Sequence, residues 1–429
     1  MLTSADRRIV AGVVTPGSTP EMREQVSRLR EQLSAGMRAY FPQLSWTLVE
    51  ATAALDPASP ADPNAVVIPL PSFGAHSVTY PAHGVPAKSN GYRAILEYAQ
   101  RSRAIATVLL DPAQHGFDCT WVDALIRPAV HSRYDLVTPV YGSRERDQLL
   151  SGNLISPLFR ALFGIPLKQP MGAELVLSAR LVDRLLARHD WDSPAARDAP
   201  ELWISFIACV ERFRLAESAV GPSEWRTQGP RLDVQSSFTQ IAGALLTLME
   251  QYENRWISTV KSIDFDRFGR ASTVGAESSR DDAHRLLESF LNASAPLLEH
   301  WRAILDPHTF SEIQAYRSAL LAGEPDAYFG NAAWVRVVYE FAAAWKLKKF
   351  PRPQVLGLLT PLYRARAASF LVKTHWTEQS EVDLESSRLS VYFEALKPVL
   401  DRLWQGESVL KSHHGVRQLM RLEMECLKP

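Results

Sequence analysis

The run Val108-Leu109-Leu110-Asp111-Pro112-Ala113 delivers a carboxylate from the end of an apolar stretch. A carboxylate in that position suits a divalent ion or the hydroxyls of a sugar. The alternative is local, since an Asp before such a turn also caps it. Lys88, in Val85-Pro86-Ala87-Lys88-Ser89, stands just ahead of a helical pattern, where the ordinary expectation is a solvated side chain. Glu174 closes Gln169-Pro170-Met171-Gly172-Ala173-Glu174. Gly172 permits a tight turn there, and the acid either accepts hydrogen bonds or serves as cap or first-turn acid of a helix through Leu181, Leu185 and Leu186. His115, four residues beyond Asp111, is a lone histidine, and most of these are not metal ligands. Trp191, Trp203 and Trp225 offer aromatic faces that stack on sugars or bases, with buried core as the plainer reading.

The elements that must position these groups follow from hydrophobic periodicity. Arg8 to Val14, Ser45 to Val49, Ala65 to Leu70, Ala104 to Leu110 and Leu136 to Val140 are short, nearly continuous apolar runs, as expected for strands buried on both faces. Met22, Val26, Leu29, Leu33, Met37 and Tyr40 recur at helical steps, and further helices are expected after Ser89 and from Cys119 to Val130. This alternation predicts an α/β fold, a mainly parallel sheet with helices on both faces. Past Pro230 the strand pattern stops. Stripes around Phe238 to Tyr252, Leu286 to Leu298, Trp334 to Leu347, Val355 to Val372 and Leu389 to Trp404 predict an all-helical domain. The expected division is therefore residues 1–230 and 231–429, with Asp264 to Arg280 as a flexible crossover.

Forty-seven basic and 47 acidic residues among 429 cancel, so no global field attracts nucleic acid. Cys119, Cys209 and Cys426 are widely separated, which argues against a disulfide framework and suits a reducing compartment. With no leader-like N-terminus and no run approaching the length of a membrane span, the expectation is a cytoplasmic chain without a spanning segment. Apolar stripes and zero net charge lead us to expect self-association through the helical half.

Several segments in order resemble one family. Gly84-Val85-Pro86-Ala87-Lys88 through Arg93-Ala94-Ile95, the strand ending at Asp111, Tyr134-Asp135-Leu136-Val137-Thr138-Pro139-Val140-Tyr141 and Gln169 to Glu174 are similar to nucleotide-sugar glycosyltransferases of the GT-A fold. The group most resembled contains the retaining mannosylglycerate and glucosyl-3-phosphoglycerate synthases, with related bacterial family 2 transferases. Gly36 to Pro42, Leu248 to Glu253 and Leu359 to Tyr363 extend the resemblance along the chain. It implies a nucleotide-sugar and a small hydroxylated acceptor such as glycerate or phosphoglycerate as partners. It also implies Mg²⁺ or Mn²⁺ held by an Asp-x-Asp and a later His, which would neutralise the departing diphosphate.

The family pattern is broken where that ion would bind. Asp111 matches the first Asp, but Ala113 stands for the second and Trp225 for the His. Thr52-Ala53-Ala54 replaces an Asp-Gly-Gly that holds base and ribose, and Glu201, in Asp198-Ala199-Pro200-Glu201, replaces an acceptor-side Asp. Lys88 matches the lysine of a Gly-Lys-Gly turn whose glycines are here Ala87 and Ser89, and Glu174 matches an acid that faces the donor sugar. The resemblance thus assigns catalysis to Glu174 and Glu201 and ligand binding to Lys88, Asp111 and Gly172. No metal cofactor is expected unless Asp111 recruits other ligands, because one carboxylate seldom holds Mg²⁺ alone. Asp111 is expected to have no second carboxylate or imidazole close enough to share an ion with it. The reading preferred from sequence is a degenerate, weak or inactive homologue acting as an interaction or regulatory subunit, in a homo-oligomer or in association with an active relative. The alternative is an active, metal-independent transferase, with lysine supplying the charge.

Overall fold

The computed structural model describes residues 7–15, 19–52, 65–69, 86–114, 116–142, 148–222, 234–257, 259, 262–269, 280–324, 327–374 and 379–407. In chain order the elements are β1 (Arg8–Thr15), α1 (Pro20–Tyr40), β2 (Ser45–Thr52), β3 (Ala65–Pro69), α2 (Pro86–Arg101), β4 (Ala106–Leu110), α3 (Cys119–His131) and β5 (Leu136–Gly142). There follow α4 (Gln148–Leu150), a π-helical turn (Ser151–Ile155), α5 (Ser156–Phe163), β6 (Leu175–Ser178), α6 (Ala179–Leu186), α7 (Pro194–Asp198), α8 (Pro200–Val210) and β7 (Leu215–Pro222). The remainder is α9 (Val234–Gln251), α10 (Glu253–Trp256), β8 (Arg267–Phe268), α11 (Arg280–Ser294), α12 (Leu298–Ile304), α13 (Pro307–Leu321), α14 (Asn331–Lys346), α15 (Arg352–Thr374), α16 (Gln379–Ala395) and α17 (Lys397–Trp404).

Two compact units share these elements: residues 1–143, 169–248 and 265–273 form one, and residues 144–168, 249–264 and 274–429 form the other. The units therefore interleave along the chain. The first is built on an eight-stranded sheet in the order β3-β2-β1-β4-β6-β5-β7-β8. Only β6 runs against its neighbours β4 and β5; the other pairings are parallel. Each of the five strands expected from sequence is present. The short β6, β7 and two-residue β8 were not read from periodicity, and β8 places a strand in the stretch expected to be a flexible crossover. Residues 270–279 of that stretch lie outside the described residues.

Alternation along β1 separates the helical layers. Ile9, Ala11 and Val13 join a core with Val26, Leu29, Leu33 and Met37 of α1 and Trp121, Val122, Leu125 and Ile126 of α3. Gly12, pointing the other way, sits so close to α2 that an added Cβ would lie 2.3 Å from Ile95 Cγ2. Helices thus cover both faces, and the α/β class is as expected. Thr19 starts α1 by accepting from the Met22 amide at 3.2 Å, with Pro20 in the first turn, where its missing N–H costs nothing.

The second unit is helical throughout its described residues. Arg366 of α15 is fully buried and donates to Asn153 Oδ1 at 2.9 Å and to the Phe329 carbonyl at 3.0 Å. Asn153 belongs to the π-helical turn, and its carbonyl accepts from the Trp334 indole at 2.7 Å. Phe290 stacks on Trp301 nearby in the same core. Helix α15 alone among the described residues is long and apolar enough to cross a membrane; 78% of its most apolar stretch is buried inside the protein. It met that test by average hydropathy and not by an unbroken apolar run, because Arg364, Arg366 and Pro361 interrupt it.

Candidate functional site

Connectivity in the first unit brings five separated polar segments to one edge. In a parallel sheet the crossover helices run back against the strands, so a helix leading into a strand begins at the carboxyl edge. Helix α2 leads into β4, which puts Lys88, in its first turn, level with Asp111 just past the end of β4. Helix α8 leads into β7, which brings Glu201 of its first turn to the same edge. Strand β6 is reversed, so Glu174 before its start also arrives there, next to the Leu109–Leu175 pair. Tyr141, near the end of β5, completes the set.

Lys88 lies between two carboxylates. Its ammonium is 3.0 Å from Asp111 Oδ2 and 2.6 Å from Glu201 Oε1. Tyr92, one helical turn further along α2, donates its hydroxyl to the same Glu201 oxygen at 2.8 Å. The second oxygen of Asp111 accepts from the Ala113 amide at 3.0 Å, so Asp111 forms its turn and an ion pair at once. Lys88 and Asp111 are each 8% exposed and Glu201 5%. Burial opposes the charge on Lys88, yet Asp111 and Glu201 together hold its pKa well above the ordinary range. Tyr92 is pushed up by burial and by Glu201.

Glu174 has a separate partner. Tyr141 donates its hydroxyl to Glu174 Oε2 at 2.5 Å while accepting from the Ala173 amide at 3.0 Å. Glu174 Oε1 is buried without a hydrogen-bond partner. Burial raises this carboxyl to about 8; the Tyr141 hydrogen bond opposes the rise and the charge of Asp111 adds to it. At neutral pH most copies therefore carry a proton at Glu174. Gly172 shapes the turn, its amide donating to the Gln169 carbonyl at 3.1 Å. Glycine is required by space, since an added Cβ would sit 2.5 Å from Pro139 Cδ.

Several expectations need correction. Lys88 is a buried ion-pair partner and not a solvated lysine, because α2 begins at the edge where Asp111 and Glu201 converge. Asp111 does have a second carboxylate close by, as both acids share one ammonium. Glu174 does not open the following helix; β6 intervenes, and Ser178 caps α6 by accepting from the Leu181 amide at 3.2 Å. Trp191 and Trp203 are core, which was the plainer reading of them from sequence, with ring centroids 4.7 Å apart and almost no exposure. His115, Ala53, Ala54 and Trp225 lie outside the described residues. Tyr92 and Tyr141 were missed as site residues, although the spacing from Lys88 to Tyr92 is one helical turn.

No protein-family description matches the chain, and no curated protein matches it in sequence. Solved structures do match. One is glucosyl-3-phosphoglycerate synthase from Mycobacterium tuberculosis with phosphoglyceric acid, at 15% identity and TM-score 0.38, over 58% of this chain and 80% of that one. The same synthase with Mn²⁺, UDP-glucose and phosphoglyceric acid matches at 14% identity and TM-score 0.37, with the same coverage. A mannosyltransferase from Pyrobaculum calidifontis with GDP-mannose and Mn²⁺ matches at 13% identity and TM-score 0.37, over 93% of this chain and 88% of that one. The likeness is one of structure at low identity. No residue role is carried over from it.

Whether a divalent ion fits this site is a question for the side chains themselves. Hard divalent ions take several oxygen ligands. Among the described residues no three His, Cys, Asp or Glu side chains are grouped to hold a metal. The two carboxylates that do meet are joined through Lys88. Among the described residues, therefore, the donors that would hold a divalent ion are not assembled.

Proposed function

We propose that this chain is a glycosyltransferase-like protein that has given up metal-dependent sugar transfer and acts as an interaction or regulatory homologue. One observation carries the reading: the buried Lys88 ammonium binds both Asp111 and Glu201. Carboxylates committed to an internal cation offer little to an external one, and the buried ion pair holds α2, β4 and α8 in register. Its place in the cytoplasm belongs to the same reading, on the strength of three scattered cysteines.

A second reading has its own support. Glu174 carries a buried oxygen without a partner and a proton at neutral pH, and a neutral acid in such a place can donate a hydrogen bond to a ligand oxygen. That favours transfer without metal from a nucleotide-sugar to a small hydroxylated acceptor such as glycerate or phosphoglycerate. Thermal unfolding with UDP-glucose and GDP-mannose, with and without Mn²⁺, separates the readings, because only ligands of the native state raise Tm. No shift with either sugar nucleotide supports the first. A metal-independent rise supports the second, and a rise that requires Mn²⁺ refutes both.

A further inference from the structure

We infer that Asp111 and Glu201 form a two-carboxylate cation site whose cation is the chain's own Lys88, a tethered replacement for a divalent ion. The inference rests on the proposed function only for the location of the site. Three observations support it. Lys88 Nζ is in contact with both carboxylates at 3.0 and 2.6 Å, a geometry in which one positive centre bridges two anionic ligands. Those ligands come from different elements, the end of β4 and the first turn of α8, so neither is merely the local partner of a helical lysine. Glu174, buried with one oxygen unpartnered, lies near enough that the charges of Asp111 and Lys88 act on it.

The charge balance explains why the tethered cation suffices. One ammonium against two carboxylates leaves a single negative charge, and a protonated Glu174 adds none. Two carboxylates with no cation between them would repel strongly in this buried setting. A divalent ion would neutralise the pair fully, but it must surrender water and be recruited from solution. An ammonium on the first turn of α2 is always present at high effective concentration. The site is thus closed to chelators and indifferent to the supply of metal.

Replacing the tether tests this on the full chain. In Lys88→Ala the carboxylates lose the Lys88 ammonium and an open space remains where the side chain ran. Mn²⁺ titration followed by electron paramagnetic resonance should then detect one bound ion per chain, at least about tenfold tighter than for the unaltered protein. Adding Asp111→Asn to Lys88→Ala should abolish that binding. Lys88→Ala should also melt lower than the parent and regain Tm with Mn²⁺ or with propylammonium, which restores the missing chain and its charge. If the variant folds only in the presence of one of these cations, that too supports the inference. A folded Lys88→Ala that binds no Mn²⁺ overturns it, as does a variant that neither cation rescues. Tight Mn²⁺ binding by the unaltered protein, lost in Asp111→Asn, overturns it from the other side. The titration needs no sugar nucleotide, so its failure and the failure of the proposed function are read separately.

Discussion

Replacing Glu174 with Gln should remove a large pH dependence from the stability of the sheet unit. The carboxyl is buried and held at about 8 against an ordinary 4.5. Between those values the unfolded chain has released the proton and the folded chain keeps it. The folded state then binds more protons, so stability falls as pH rises, is fully present below about 4.5 and is lost above about 8. At about 1.4 kcal/mol for each pH unit the swing is roughly 5 kcal/mol, a large share of an ordinary domain's stability. Gln copies the protonated acid and does not titrate: its carbonyl can accept from Tyr141 as Glu174 Oε2 does. Its amide takes the unpartnered position, at a cost of about 1–3 kcal/mol that does not vary with pH. Urea unfolding of both proteins from about pH 5 to about pH 9 should show the variant gaining on the parent as pH rises, at a common m-value. An infrared difference spectrum between them near pH 6 should contain one protonated carboxyl. Parallel stability curves, or the absence of that carboxyl, would refute the assignment of a proton to Glu174.

Two other substitutions probe the same edge. Tyr92→Phe deletes the hydroxyl that donates to Glu201 at 2.8 Å and should cost about 2 kcal/mol, the scale for a hydrogen bond to a charged group; an unchanged urea midpoint would show the bond contributes nothing. Gly172→Ala forces a methyl into Pro139 and should cost about 1–3 kcal/mol by overpacking. Because Pro139 and Tyr141 share β5 and Glu174 follows two residues later, this change should also move the pH at which Glu174 titrates; a variant as stable as the parent with the same titration would contradict the close approach.

How far the sequence discloses this fold depends on the length and burial of each element. Strands such as Ile9 to Val14 are continuous apolar runs because both faces are covered, and they are legible for that reason. Strand β6 has four residues, Leu175-Val176-Leu177-Ser178, too few to separate a strand from the start of the helix that follows. That ambiguity left a helix acid as one of the two readings of Glu174. Strand β8 has two residues and exists through pairing with Glu217 and Ser218, which no local pattern encodes. Residues 148–168 lie inside the α/β half of the chain yet belong to the helical unit. Their apolar stripe is plain, but which core receives it is a long-range fact.

The site was legible in its members and not in its bonds. Asp111 could be singled out as a carboxylate after an apolar strand, and Lys88, Glu174 and Glu201 through the family resemblance. Taken one at a time they suggested loss: a carboxylate without its second Asp, a lysine without its glycines. Their combination reverses the sense of that loss. The backbone amide of residue 113, which any residue but proline would supply, donates to Asp111 Oδ1 at 3.0 Å, while Oδ2 accepts from Lys88. Glu201 is one carbon longer than the Asp of the resembled pattern, and its Oε1 receives both Lys88 and Tyr92. A site that was merely eroding would leave buried charges unmatched, at several kcal/mol for each uncompensated ion. Here the ammonium lies between both acids and the neighbouring Glu174 keeps its proton, so the buried cluster carries a single negative charge in place of three.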